Sequence, residues 1–163
     1  MDLARRSLLF GRATALPPMR LPWSRQSSVQ ERCTGCGSCV DACPVDIVSL
    51  GAGRLAEIDL SQHECIFCHE CERACPEDVF DISLPAFEHV AHFGDSCLPH
   101  AGIECRACQD ACPEAAIRFR PRLGRPAQPE LNETDCTGCG ACLGPCPVDA
   151  IDLAPRAREV ADA

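Results

Sequence analysis

The stretch CTGCGSCVDACP, from Cys33 to Pro44, decides which fold this chain adopts. Its cysteines follow the spacing C-x2-C-x2-C-x3-C, with proline directly after the last one. Three thiolates two residues apart can wrap around one face of a compact metal cluster, and the backbone N–H groups between them can donate hydrogen bonds to it. A fourth cysteine three residues further on is typical of a ligand to a second cluster. The stretch therefore predicts a pair of 4Fe–4S clusters.

The same pattern recurs along the chain, and it accounts for all 16 cysteines. Four runs contain them: Cys33, Cys36, Cys39 and Cys43 in the first; Cys65, Cys68, Cys71 and Cys75 in the second; Cys97, Cys105, Cys108 and Cys112 in the third; Cys136, Cys139, Cys142 and Cys146 in the fourth. Each run is followed by similar text, PVDIV, PEDVF, PEAAI or PVDAI, so the repeat is a structural unit. All of these cysteines are predicted ligands of four 4Fe–4S clusters.

The third run departs from the spacing, because LPHAGIE separates Cys97 from Cys105 where the other runs have two residues. The remaining cysteines are assigned by the repeat, so we expect Cys97 to be the missing ligand and to reach its cluster through a longer loop. A labile cluster, or one that lacks a ligand, is the alternative that the sequence leaves open.

Zinc and disulfides explain the cysteines less well. A structural zinc site uses four ligands in two separated pairs, so a third cysteine two residues after the second would be redundant. Disulfides belong to oxidising compartments. The opening has Arg5-Arg6 followed by a short apolar run, as in an export signal, but the run stops at Gly11-Arg12. We therefore expect a cytoplasmic chain without a membrane span.

Charge is distributed unevenly along the sequence. The whole chain has a formal net charge of −9, whereas residues 1–32 are rich in arginine. The candidates for contact with a partner in this predicted basic arm are Arg5, Arg6 and Arg12. A solvated terminus without a partner is the alternative. We do not expect nucleic acid as a partner, because the body is acidic and lacks aromatic residues interleaved with basic ones.

The segments between runs predict an α+β fold of two ferredoxin-like units, each with short helices and hairpins around its clusters. Residues 45–59 and 117–131 read as hairpins. The predicted boundaries are an extended basic arm 1–32, a first pair of runs 33–76, a connection 77–96, a second pair 97–155 and a tail 156–163. Whether adjacent or nested runs pair is open, since the loop-entropy difference is only about 1 kcal/mol.

No acid–base pair, activated nucleophile or phosphate-binding loop can be recognised, so we do not expect an enzyme. The glycines in TGCG and CGSC suit close approach of the backbone to a cluster rather than a nucleotide. The chain has five histidines, and His69 lies inside a run that already has four thiols. We expect the histidines to be exposed and not to be ligands.

Several features together resemble one family. The opening ARRSLLFGR, the Pro22-Trp23 pair, the lengthened third run and the segment IRFRPRLG are similar to NapF, the ferredoxin-type accessory proteins of periplasmic nitrate reductase systems. The resemblance implies a cytoplasmic protein whose 16 cysteines hold four 4Fe–4S clusters. It also implies binding to the molybdenum-containing catalytic subunit NapA before export, and a role in NapA maturation. A general electron carrier remains the alternative, because a fold and cofactor do not determine the role.

Overall fold

The computed structural model describes residues 19–156. Its elements, in chain order, are α1 (Gln26–Arg32), α2 (Ser38–Asp41), β1 (Val48–Leu50), β2 (Ala56–Ile58), α3 (Glu70–Arg73), β3 (His89–Phe93), α4 (Ala107–Asp110), β4 (Ile117–Arg122), β5 (Arg125–Leu131) and β6 (Ile151–Pro155). The strands form three two-stranded antiparallel sheets within this range. Short helices and short antiparallel strands agree with the predicted α+β class.

Two of the sheets are the hairpins that the sequence predicts. Strands β1 and β2 pair with Val48 opposite Ile58, and both side chains are buried. Strands β4 and β5 pair with Ile117 opposite Leu131, and the ladder is irregular around Pro121, which has no N–H to donate. Both predicted hairpins are confirmed. They can be predicted from sequence because alternating apolar residues and turn-forming glycines specify them locally.

The third sheet joins distant parts of the chain. Strand β3 lies inside the segment 77–96, which is predicted only as a connection, and it pairs with β6 along five residue pairs. The chain therefore enters and leaves the unit formed by the third and fourth runs on adjacent strands. The unit formed by the first and second runs has only an isolated bridge at the corresponding place, Ser24 opposite Phe80.

The predicted extended arm requires correction from residue 19 onward. Leu21, Trp23 and Val29 are buried, at 1%, 8% and 0% exposure, and α1 occupies Gln26–Arg32. The Trp23 N–H donates to the Ala86 carbonyl at 2.9 Å, and its own carbonyl accepts from Asp81 at 2.8 Å. These apolar residues add to the hydrophobic core of a small unit, and small units bury a limited share of their surface. Arg5, Arg6 and Arg12 lie outside the described residues.

The hydrophobic core of residues 19–156 contains two clusters, each mixed with thiols. One contains Leu21, Ile58, Leu60 and Phe87 together with Cys39, Cys65 and Cys71. The other contains Ala91, Ile117 and Ile151 together with Cys108 and Cys142. Buried cysteine packs as a small hydrophobe. The apolar side chains therefore converge on the thiols, and whatever the thiols bind becomes part of the core.

Candidate iron–sulfur sites

The cysteines surround four pockets, with four thiols at each. The first pocket is lined by Cys33, Cys36, Cys39 and Cys75; the second by Cys43, Cys65, Cys68 and Cys71; the third by Cys97, Cys105, Cys108 and Cys146; the fourth by Cys112, Cys136, Cys139 and Cys142. Each pocket takes three thiols from one run and the last thiol from the adjacent run. Among the two pairings that the sequence leaves open, the structure has the adjacent one.

The donor set of each pocket fits an iron–sulfur cluster. Thiolates are the ligands that hold such clusters, and four of them suffice for a 4Fe–4S core. Within residues 19–156, no three His, Cys, Asp or Glu side chains are arranged to hold a single metal ion. The thiols instead stand around a larger space with apolar walls, such as Leu21, Val29 and Leu50 in the first pocket. This arrangement suits a bulky, multi-iron group better than one zinc ion.

Burial changes the acidity of the thiols. It raises the pKa of Cys39, Cys65 and Cys108 to about 11, and neighbouring thiols add to the effect. The pKa values of Cys71 and Cys142 rise to about 12 for the same reasons. These thiols therefore keep their protons at neutral pH until a metal replaces them. Cluster insertion would release those protons and convert buried neutral groups into ligands.

Glycines shape the loops of the first and fourth runs. Gly35 and Gly37 have φ of 67° and 89°, and Gly138 and Gly140 repeat this with 75° and 88°. A Cβ on Gly35 would lie 2.6 Å from the Arg54 carbonyl oxygen. Only glycine combines a left-handed backbone with so close an approach. The loops can therefore fold tightly enough to turn their thiols toward one point.

The second run builds the same loop without glycine. Phe67 and His69 stand two and four residues after Cys65, the places of Gly35 and Gly37, and have φ of 53° and 64°. Their rings pack on Trp23: His69 stacks on it at 3.8 Å between ring centroids, and Phe67 meets it edge-on at 6.1 Å. The expectation that all histidines are exposed is therefore wrong for His69, which is half-buried.

His89 is a second histidine for which the expected exposure is wrong. It is half-buried on β3, lies 4.7 Å from the Phe87 ring, and its Nε2–H donates to the Gly138 carbonyl at 2.8 Å. Burial lowers the pKa of His89, although this hydrogen bond acts in the opposite direction. Phe87 in turn lies 5.9 Å from Phe67. Aromatic contacts thus run from the second pocket to the loop of the fourth.

The two units meet at these same pockets. The Cys65 N–H donates to the Cys139 carbonyl at 2.9 Å, which joins a thiol-bearing residue of the second pocket directly to one of the fourth. Leu60 also packs so closely on Gly140 that a Cβ there would lie 2.8 Å from the Leu60 Cβ. The second and fourth pockets therefore lie where the two units meet, and we call them the inner pockets.

The lengthened third run reaches its pocket through a closed turn. The His100 N–H donates to the Cys97 carbonyl at 2.8 Å, and the Ile103 N–H donates to that of Leu98 at 3.0 Å. Cys97 is buried at the third pocket beside Cys105 and Cys108. The extra residues fold back on themselves, so the longer spacing still brings a fourth thiol to the pocket.

These pockets and paired units define a ferredoxin-type iron–sulfur protein. The chain matches two 4Fe-4S dicluster domain families, over residues 26–76 and 103–150. It is 42% identical to ferredoxin-type protein NapF of Escherichia coli strain K12 over 93% of this chain and 94% of that protein. The NapF of Haemophilus influenzae is 39% identical over the same shares. The chain therefore belongs to the NapF family, which confirms the predicted resemblance.

A more distant similarity covers only part of the chain. A probable ferredoxin of Methanosarcina thermophila is 53% identical over 30 residues, which is 18% of this chain and 52% of that protein. So short a match says nothing about the rest of the chain. Within residues 19–156, no helix has the length and apolar character needed to cross a membrane.

Proposed function

We propose that the chain is an electron-transfer accessory protein that holds four 4Fe–4S clusters on its 16 cysteines. The observation that carries this proposal is the set of four pockets, each with four thiols drawn from two adjacent runs. A bound cluster supplies one-electron oxidation and reduction. The protein's own residues exclude water from the buried thiols, fix the loops with left-handed backbone and join the inner pockets through the Cys65–Cys139 hydrogen bond. We assign no catalytic residue.

Anaerobic iron and sulfide analysis tests the cluster count. Four 4Fe–4S clusters require about 16 iron and about 16 sulfide per chain. Electron paramagnetic resonance of the reduced protein should show magnetically interacting clusters, because each unit holds two clusters close together. Zinc in place of iron would overturn the proposal, and about 12 iron per chain would show that one pocket, with Cys97 the first suspect, does not hold a stable cluster.

We further propose that the electrons or clusters serve the maturation of NapA, the catalytic subunit of periplasmic nitrate reductase, in the cytoplasm before export. Membership of the NapF family supports this role, since the family resemblance implies NapA as the partner. The chain is acidic overall, so its arginine-rich N-terminal segment is the part that would attract an acidic surface of that partner. The candidate contacts in this segment are Arg5, Arg6 and Arg12.

Co-isolation with NapA precursor tests the partner and the arm separately. Deleting residues 2–18 leaves Leu21, Trp23 and Val29 in the core, so the shortened chain should fold and keep its iron. Weaker binding by the shortened chain would support contact through the arm, and undiminished binding would remove the arm from the proposal. NapA that acquires its own iron and activity normally in cells lacking this chain would overturn the maturation role and favour a general electron carrier.

A further inference from the structure

The hairpin of β4 and β5, residues 117–131, concentrates positive charge on an acidic chain. It carries Arg118, Arg120, Arg122 and Arg125 against one carboxylate, Glu130, whereas the chain has a net charge of −9. Arg122 stands directly opposite Arg125 at the end of the ladder. Like charges opposite each other destabilise a hairpin. This arrangement therefore needs an explanation other than stability of the hairpin itself.

The arginines of the hairpin are exposed, and most of them have no internal partner. Elsewhere, Arg32 donates to the Asp78 carbonyl at 2.8 Å and Arg54 to the Gly35 carbonyl at 3.0 Å, so those side chains stabilise the fold. By contrast, the side chains of Arg118, Arg122 and Arg125 make no hydrogen bond or ion pair with any residue between 19 and 156. All three are exposed to solvent. Their guanidinium groups are available to another molecule.

The base of the hairpin is part of the wall of the third pocket. Phe119 on β4 lines that pocket together with its four thiols. The Arg106 guanidinium carbon lies 5.8 Å from the centroid of the Phe119 ring, which adds a fifth positive charge beside the pocket. The Gln128 side chain on β5 donates to the Pro99 carbonyl at 2.7 Å and so holds the lengthened loop of the third run against the hairpin.

Apolar side chains accompany the charges. Leu123 at the turn of the hairpin is fully exposed, at 103%, and Ile103 in the lengthened loop is exposed at 52%. Glu130, the one carboxylate of the hairpin, is already paired with Arg120. Exposed apolar side chains close to arginines are typical of protein–protein interfaces, where arginine is enriched.

We propose that the hairpin 117–131, with Arg106 and the lengthened loop, is the docking surface for a redox partner protein that presents carboxylates around its own cofactor. The acidic remainder of the chain repels such a partner, whereas the hairpin attracts it, so the complex forms with the partner beside the third pocket. The redox purpose of this docking rests on the proposed function. The binding itself requires only the folded holoprotein.

Two double variants of the holoprotein test the surface with the same change in charge. R122Q/R125Q removes two charges from the hairpin, and the control R25Q/R73Q removes two exposed arginines from the other unit. With NapA precursor as the probe, we expect the hairpin variant to bind about tenfold more weakly and with less dependence on salt, because attraction between charged surfaces steers association. The control should bind like the unaltered chain. Equal weakening by both variants, or weakening by the control alone, overturns the proposal.

Small oxidants test the surface without a protein partner. They apply even if NapA precursor does not bind, and that failure to bind would count against NapA as the partner. The reduced holoprotein is mixed with hexacyanoferrate(III), an anion, or hexaamminecobalt(III), a cation, and the rate of reoxidation is followed. R122Q/R125Q should be slower with the anion and no slower with the cation, with the control unchanged and the cluster midpoint potentials unaltered. Unchanged rates with both oxidants, or rate changes that follow shifted potentials, would contradict a docking role.

Discussion

The first and second runs build the same cluster loop with opposite kinds of residue. The first places Gly35 and Gly37 in the left-handed region, whereas the second places Phe67 and His69 there. A side chain in this region costs on the order of 1–3 kcal/mol. Packing on Trp23 offsets that cost, because both rings lie against it. Local chain preference therefore shapes the loop of the first run, and tertiary contacts shape the loop of the second.

The two units differ in a related way at their edges. The second unit closes with the five-pair ladder between β3 and β6, whereas the first has the single bridge between Ser24 and Phe80. The first unit is closed instead by the packing of Leu21, Trp23 and Val29. A five-pair ladder thus closes one unit, whereas apolar packing and two backbone hydrogen bonds of Trp23 close the other. Trp23 supports both the edge and the loop of the first unit.

The largest effect on iron content should come from replacing a thiol of one run that lines the pocket of the adjacent run. Cys43→Ser removes a thiol of the first run, yet we expect it to empty the second pocket and to lower iron by about four atoms per chain. Combining it with Cys71→Ser should cause little further loss, because both thiols line the second pocket. Combining it with Cys39→Ser should remove the clusters of both pockets. Iron analysis of the three variants checks this. A further loss of about four iron atoms on adding Cys71→Ser to Cys43→Ser would disprove the adjacent pairing.

Trp23→Ala should have the next largest effect. It leaves a cavity in the first unit and removes the support of a strained loop, so we expect a loss of about 3–5 kcal/mol. Anaerobic thermal unfolding, followed through cluster absorbance, measures it.

His69→Gly is the matched comparison for Trp23→Ala. It removes the stacked ring but also relieves the positive φ, and the two effects of about 1 kcal/mol each should nearly cancel. A large loss from His69→Gly would mean that the ring does more than offset the strain of its own backbone.

Gly140→Ala and Gly37→Ala compare equivalent positions of the fourth and first runs. Both backbones have φ near 88–89°, so alanine is strained at either position. A Cβ at residue 140 would also lie 2.8 Å from the Leu60 Cβ, whereas at residue 37 it meets nothing within 4 Å. We expect Gly140→Ala to cost about 1–3 kcal/mol more, owing to overpacking where the units meet. Equal thermal stabilities of the two variants would argue against that contact.

The smallest effect should be the pH dependence contributed by His89. Its pKa is lowered in the folded chain by burial, so the native state favours the neutral ring. Its contribution to stability is therefore complete above the ordinary pKa of 6.5 and is lost as the pH falls through the lowered value. His89→Gln keeps an N–H donor for Gly138 but does not titrate. Stability measured from about pH 7.5 to about pH 5.5 should fall less in this variant than in the unaltered chain.

The sequence alone determined the chemistry of this protein. Thiol spacing predicted the ligand type, because a tight loop with cysteines two residues apart has few other uses, and the hairpins at 45–59 and 117–131 followed from local alternation and turn residues. Loop glycines could be recognised for the same local reason. One available signal was missed: Phe67 and His69 stand where the first and fourth runs have glycine, which indicates side chains held by packing.

Only the tertiary structure decided which thiols share a pocket and how the units meet. Adjacent and nested pairing differ by only about 1 kcal/mol in loop entropy, so local sequence cannot separate them. The packing of residues 19–32, the pairing of β3 with β6 and the Cys65–Cys139 hydrogen bond all join residues far apart in the chain. Such contacts depend on the summed burial and backbone pairing of the whole fold, which no short stretch of sequence specifies by itself.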